Sequence, residues 1–142
     1  MYIDWNGNVS PCVFVPFSPV NIKDVYAKGG NLTDIFNEPF FADLRKWQAD
    51  IKIQKNGKNL LNPCPIRDHN ADLRQLIRKH DVEPLDLNAA EALQDANYAK
   101  GMDVYGEKYQ KIVDTIWEKV YVQNSPLEAE DTEKLTELFA EK

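Results

Sequence analysis

The run Tyr2-Ile3-Asp4-Trp5-Asn6-Gly7-Asn8-Val9-Ser10-Pro11-Cys12 constrains the fold of this chain more than any other segment. β-favouring residues flank an Asn-Gly pair, which readily supplies the positive φ angles of a two-residue hairpin turn. Residues 2–5 and 9–15 therefore read as antiparallel strands joined at Asn6-Gly7. Cys12 then sits at the middle of the returning strand. Pro16 and Pro19 have no N–H to give a ladder and end the pairing. A lone two-stranded hairpin is marginal in water, so this one must lean on helices or on a bound cluster.

Behind the hairpin the pattern turns helical. Val20-Asn21-Ile22 reads as a short extended piece in an irregular segment that closes at Gly29-Gly30. Asn31, with Asp34 three residues on, opens a short helix with Leu32, Ile35 and Phe36 facing inward. Pro39 suits a first helical turn, and Phe40, Phe41, Leu44, Trp47 and Ile51 recur at helical spacing. Asn56-Gly57 and Asn62-Pro63 mark a turn and a loop, which places Cys64 off any helix. A further helix begins near Asp68 or His69, buries Leu73, Leu76 and Ile77, and ends before Pro84. Asn88 with Glu91 opens a long helix whose stripe runs from Ala92 to Trp117, weakened in the middle by Gly101 and Gly106. Ser125-Pro126-Leu127-Glu128 predicts a last helix start. The expected fold class is α+β: an N-terminal β-hairpin followed by a mostly helical region. Residues 1–70 hold the hairpin and first helices. Residues 71–142 form a helical extension packed on them, in one compact unit.

Charge narrows the function classes. The chain of 142 residues carries a net charge of −6. Nucleic-acid binding wants a basic stripe, so no nucleic-acid partner is expected. The acidic residues Glu128, Glu130, Asp131, Glu133, Glu137 and Glu141 read as a solvated helix face. No apolar run approaches the roughly 18 residues of a membrane helix, so no membrane partner is expected. Met1 leads straight into a strand, with no signal-peptide pattern, and a cytoplasmic, reducing location follows as the expectation. A start directly on a core strand also predicts a region upstream of it.

Cys12 and Cys64, each preceded by proline, are the only cysteines. Composition alone leaves several roles open: buried inert thiols, ligands of a metal or cluster, or a disulfide, the last disfavoured in a reducing compartment. Two thiols cannot fill four ligand positions. Asp68 and His69 are the neighbours that can extend the set, and Cys12, Cys64 and His69 are the candidate metal-ligating residues. A mononuclear zinc site on these residues is a further reading, with poor spacing. Arg67-Asp68 reads as a structural ion pair and His80 as an exposed helix end. No Ser-His-Asp arrangement, Walker loop or dinucleotide fingerprint is present, and no catalytic residue is assigned.

The placement of Gly7 and Cys12 resembles the SPASM/twitch region at the C-terminus of radical SAM proteins. In that region a glycine precedes a "PC" cysteine on a hairpin. Pro11-Cys12-Val13-Phe14-Val15-Pro16, Asn21-Ile22, Leu32-Thr33-Asp34-Ile35-Phe36, Phe40-Phe41-Ala42-Asp43-Leu44-Arg45 and Asn62-Pro63-Cys64-Pro65-Ile66-Arg67-Asp68-His69 extend the likeness over about residues 1–70. The ligand count is closer to the reduced, single-cluster twitch version.

The resemblance implies an accessory domain that contributes Cys12 and Cys64 to an auxiliary [4Fe–4S] cluster, for electron relay or substrate positioning. Phe14, Phe17 and Trp5 would shield it. The chain lacks the CxxxCxxC run of the catalytic barrel. S-adenosylmethionine would therefore bind only to a barrel elsewhere in the same polypeptide, and this chain would hold no complete cluster and no activity alone. A cluster-free module that binds a peptide or protein on the hairpin edge is the alternative.

Overall fold

The computed structural model describes residues 1–51 and 59–140; Asn56-Gly57 and Glu141 lie outside them. Antiparallel strands lead into a mostly helical region, the expected α+β class. Strands β1 (Tyr2–Ile3), β2 (Asn8–Ser10) and β4 (Val20–Asn21) form an antiparallel sheet in the order β1-β2-β4, with Ile3 opposite Val9 and Val9 opposite Val20. Between them, β3 (Phe17–Ser18) pairs antiparallel with β5 (Glu83–Pro84), so a strand from the helical half closes against the N-terminal region. Pro84, expected only to end a helix, thus takes part in a ladder at a position where its missing N–H is tolerated.

The hairpin turn differs from the sequence expectation. Asn6 does not adopt positive φ, whereas Gly7 does, at 90°. Gly7 N–H donates to the Asp4 carbonyl at 3.0 Å, and Asp4 N–H donates to the Asn8 carbonyl at 3.0 Å. This leaves a three-residue loop with glycine at its left-handed position. Asp4 selects it: Oδ1 accepts from Asn6 N–H at 2.8 Å and from Asn8 N–H at 2.9 Å.

The returning strand is also shorter than residues 9–15, because it stops at Ser10, before Pro11. Cys12 lies in the bend that follows, not in a strand. The Ser18 hydroxyl accepts from Val9 N–H at 2.9 Å, doing for β2 what a ladder partner would do.

Helix starts follow local chemistry. α1 (Ile22–Ala27), which the sequence reading did not anticipate, is capped by Asn21, whose side chain accepts from Lys23 N–H at 3.0 Å. α2 (Leu32–Phe36) has the expected capping box between Asn31 and Asp34. Only Ile35 of its apolar residues is buried; Leu32 and Phe36 face outward. Their i, i+3, i+4 spacing sets all three on one side of the helix, but only the middle of that side is covered. Phe36 instead carries the Arg45 guanidinium 3.9 Å above its ring.

α3 (Pro39–Asp50) begins at the expected proline and buries Phe40, Phe41 and Leu44. α4 (Asn70–Lys79) buries Leu73 and Ile77. His80 at its end is not solvent-exposed: its Nε2–H donates to Asp43 Oδ2 at 2.8 Å, and its ring meets Phe40 edge-on.

The long helix expected from Asn88 is two helices. Asp86, rather than Asn88, caps α5 (Leu87–Gln94). Asp95 leaves helical geometry and caps α6 (Ala96–Ile116), accepting from Asn97 N–H at 2.7 Å. α6 runs through Gly101 and Gly106 without a break. Its anticipated stripe is largely partly exposed, and Gly106, Ile112 and Val113 are its buried residues. Arg74 of α4 grips both carboxylate oxygens of Asp103 on α6, at 2.9 and 3.0 Å.

A π-helical turn, Trp117–Val122, leads to α7 (Ala129–Ala140), which starts after Glu128 rather than at Ser125. The cause is Asp131, whose carboxylate reaches back to Glu128 N–H at 2.8 Å and also pairs with Lys119.

Lys119 first, and then the Glu128 N–H, hold the Asp131 carboxyl below the usual carboxylate range. A lowered folded-state pKa gives stability that is present above the unfolded value, about 3.9, and lost as pH falls through the folded one. An NMR titration of the Asp131 carboxyl is expected to show this low midpoint. Lys119→Met should return it toward the ordinary range; an unchanged midpoint in that variant would remove Lys119 as the cause.

The core joins both halves of the chain. Val9, Val15, Phe17, Ile35, Phe40, Phe41, Leu73, Ile77, Val82 and Ala89 form one buried cluster. Cys12 and Ile66 pack against its margin.

Candidate functional site

Cys12 and Cys64 are both free thiols and both only partly buried. Each sits on irregular backbone next to proline, Cys12 in the bend after β2 and Cys64 in the loop before α4. The main chain of Cys12 is engaged: its carbonyl accepts from Val15 N–H at 3.2 Å and from the Ser10 hydroxyl at 3.2 Å. Around it the expected shield is divided. Phe17 is buried, but Trp5 and Phe14 are 88% and 73% exposed, and Val13, next to Phe14 in sequence, is also exposed. The hairpin tip and the Cys12 bend therefore present apolar side chains outward, rather than wrapping the thiol from within.

Cys64 occupies a tightly tied loop. Its N–H donates to Asp68 Oδ2 at 3.0 Å, and its carbonyl accepts from Asp68 N–H at 2.9 Å. The Asp68 side chain is 1% exposed. Its charge is met by Arg67, through Nε to Oδ1 and through Nη2 to Oδ2 at 3.0 Å, the ion pair expected from the sequence. This bond holds the Arg67 guanidinium further toward its charged form than an isolated one. Arg67 also lies over the Tyr109 ring, 4.1 Å from its centroid.

The residues that support this loop were not legible in the sequence. Tyr109 OH donates to the Leu61 carbonyl at 3.2 Å. The Asn62 side-chain amide donates to Gln110 Oε1, and the Asn59 amide donates to Asp114 Oδ1 at 2.7 Å. All three partners stand on α6. Gly106, read from the sequence as a weak point, allows that helix to approach: a Cβ there would lie 2.9 Å from the Asp68 carbonyl oxygen. No short motif announces such a contact, since it joins residues about forty positions apart.

His69 belongs to the same loop but faces other neighbours. Its Nε2 lies 2.9 Å from the Asn62 carbonyl, so that nitrogen carries the proton, and its ring meets Trp47 edge-on. Cys12, Cys64 and His69 do not form one metal-holding group: among the described residues, no three His, Cys, Asp or Glu side chains do. His69 braces the loop against α3 through its contact with Trp47.

This geometry, two free thiols on proline-led bends behind a glycine-turned hairpin, agrees with the comparison of the chain with known families. A family model for the SPASM iron–sulfur cluster-binding domain matches residues 1–65, so this part of the chain is similar to that domain. Comparisons with curated proteins and with solved structures gave no match. The family implies iron–sulfur cluster binding. Thiolates are the donors such clusters prefer, so the donor type fits. The donor number does not complete a cluster from the described residues.

Proposed function

We propose that this chain is an accessory domain of a radical SAM enzyme, acting in the cytoplasm. Cys12 and Cys64 would provide thiolate ligands to an auxiliary [4Fe–4S] cluster, with the remaining ligands supplied from outside the described residues. The observation that carries this reading is the SPASM match over residues 1–65, which contains both cysteines. Such a cluster supplies one-electron chemistry or a ligand position for substrate. The chain's own part is to hold two thiols on bends that need no metal to form. The exposed apolar residues Val13 and Phe14, next in sequence to Cys12, suit a surface covered by the barrel of the same polypeptide. S-adenosylmethionine would bind to that barrel alone.

Anaerobic reconstitution of a radical SAM polypeptide carrying this chain should incorporate iron beyond the barrel's own cluster. The Cys12→Ser/Cys64→Ser double variant should lose that additional iron while the barrel's iron stays. Full retention of iron in the double variant would sink the proposal.

A second reading, a cluster-free module for a peptide or protein, draws on the sheet order. β1 lies at an edge of the sheet, with Tyr2 and Ile3 partly exposed, where an added strand can pair. That reading expects wild-type protein with two reduced thiols and no additional iron under the same reconstitution.

A further inference from the structure

We propose that α6, which lies beyond the matched SPASM segment, is the template for the Cys64 loop, and that Asp68 is a positioning residue for the Cys64 thiol. The proposal deepens the preceding reading, because it rests on Cys64 as a ligand. Asp68 binds the main chain of Cys64 at both its N–H and its carbonyl, closing residues 64–68 into a fixed bend. The thiol takes part in none of these bonds. The clamp therefore orients the side chain without using it, as an outer layer around a metal ligand does.

Asp68 is in turn held from two sides. Arg67 neutralises its buried charge and is itself covered by Tyr109, and the bare Cα of Gly106 lets the α6 backbone seat against the Asp68 carbonyl. Gln110 and Asp114 pin Asn62 and Asn59, two side chains on the approach to Cys64. A burial of this kind, with an ion pair and several side-chain bonds fixing one short loop, is costly unless each member is satisfied. Among the described residues no buried side-chain polar atom is left without a partner.

The test titrates cobalt(II) anaerobically into the full chain, reading the thiolate-to-cobalt charge-transfer band, and measures hydrogen exchange at the Cys64 amide in the metal-free protein. Wild type should show the band, and Cys64→Ser should lower it. Asp68→Asn, which keeps the side-chain volume and an acceptor oxygen, should fold. It should weaken cobalt binding by about 10- to 100-fold, the usual effect of losing an outer partner of a ligand. It should also speed Cys64 amide exchange about 10-fold or more. Ile35→Val, a core change away from the loop, should move neither readout. Wild-type exchange and wild-type cobalt affinity in Asp68→Asn overturn the positioning role. A band unchanged in Cys64→Ser overturns the ligand reading instead; in that case, or with no band in wild type, the amide exchange decides the clamp.

Discussion

Gly7→Val is expected to destabilise the fold by about 2–6 kcal/mol, since strained φ and overpacking each cost roughly 1–3 kcal/mol and here they add. Gly7 sits at φ 90°, where a β-branched side chain is poorly accommodated. A Cβ there would also lie 2.9 Å from Asn21 Oδ1 and 3.1 Å from Ile22 Cγ2. Neither neighbour is free to move away. Asn21 caps α1 and donates to the Asn6 carbonyl at 3.1 Å, while Ile22 N–H donates to the Gly7 carbonyl at 2.8 Å. The damage should therefore spread from the hairpin to α1 and to the Cys12 bend. Denaturant unfolding gives the magnitude, and amide exchange at Val9 and Ser10 gives the location. A loss below about 1 kcal/mol would mean the turn can rearrange, against the strain expected for that backbone region.

Phe40→Ala should cost about 3–5 kcal/mol, the range for removing a buried aromatic ring and leaving a cavity. Phe40 is 0% exposed and belongs to the cluster that joins strands and helices. Its ring packs against Phe41 at 5.7 Å between centroids and meets His80 edge-on at 6.0 Å. The loss is a large share of the total stability of a domain, about 5–15 kcal/mol. A melting temperature lower by roughly 10 °C is expected from the usual scaling. Phe40→Leu retains most of the apolar volume and should cost clearly less. Equal losses for the two variants would point away from cavity formation.

The two substitutions probe different origins of order. Gly7 acts through the backbone, and its role was half visible: the Asn-Gly pair announced a turn beside β-favouring residues. The turn type was decided by Asp4, whose carboxylate binds the amides of Asn6 and Asn8 and favours the longer loop. Phe40 acts through packing. Its spacing with Phe41 and Leu44 marked a buried face, but which strand covered that face was not written locally. His80 shows the limit of local reading most clearly. Its sequence neighbours Lys79 and Asp81 suggest solvent, while Asp43 and Phe40 from another helix enclose it.

What the sequence by itself determined is local or compositional. The hairpin followed by helices, the Asn31 capping box, the Pro39 helix start, the Arg67–Asp68 pair and the likeness to SPASM domains all reside within a few neighbouring residues or a short ordered motif. Only the tertiary structure decided that β3 pairs with β5, that the returning strand ends before Cys12, and that Trp5 and Phe14 point outward. It alone brought Gly106, Tyr109, Gln110 and Asp114 to the Cys64 loop. The physical reason is one of range. Caps, turns and helical periodicity are satisfied by backbone groups close in sequence. A close helix-to-loop approach depends on which distant surface offers a matching gap and matching hydrogen-bond partners, and a single glycine in a helix carries no mark of the carbonyl it will meet.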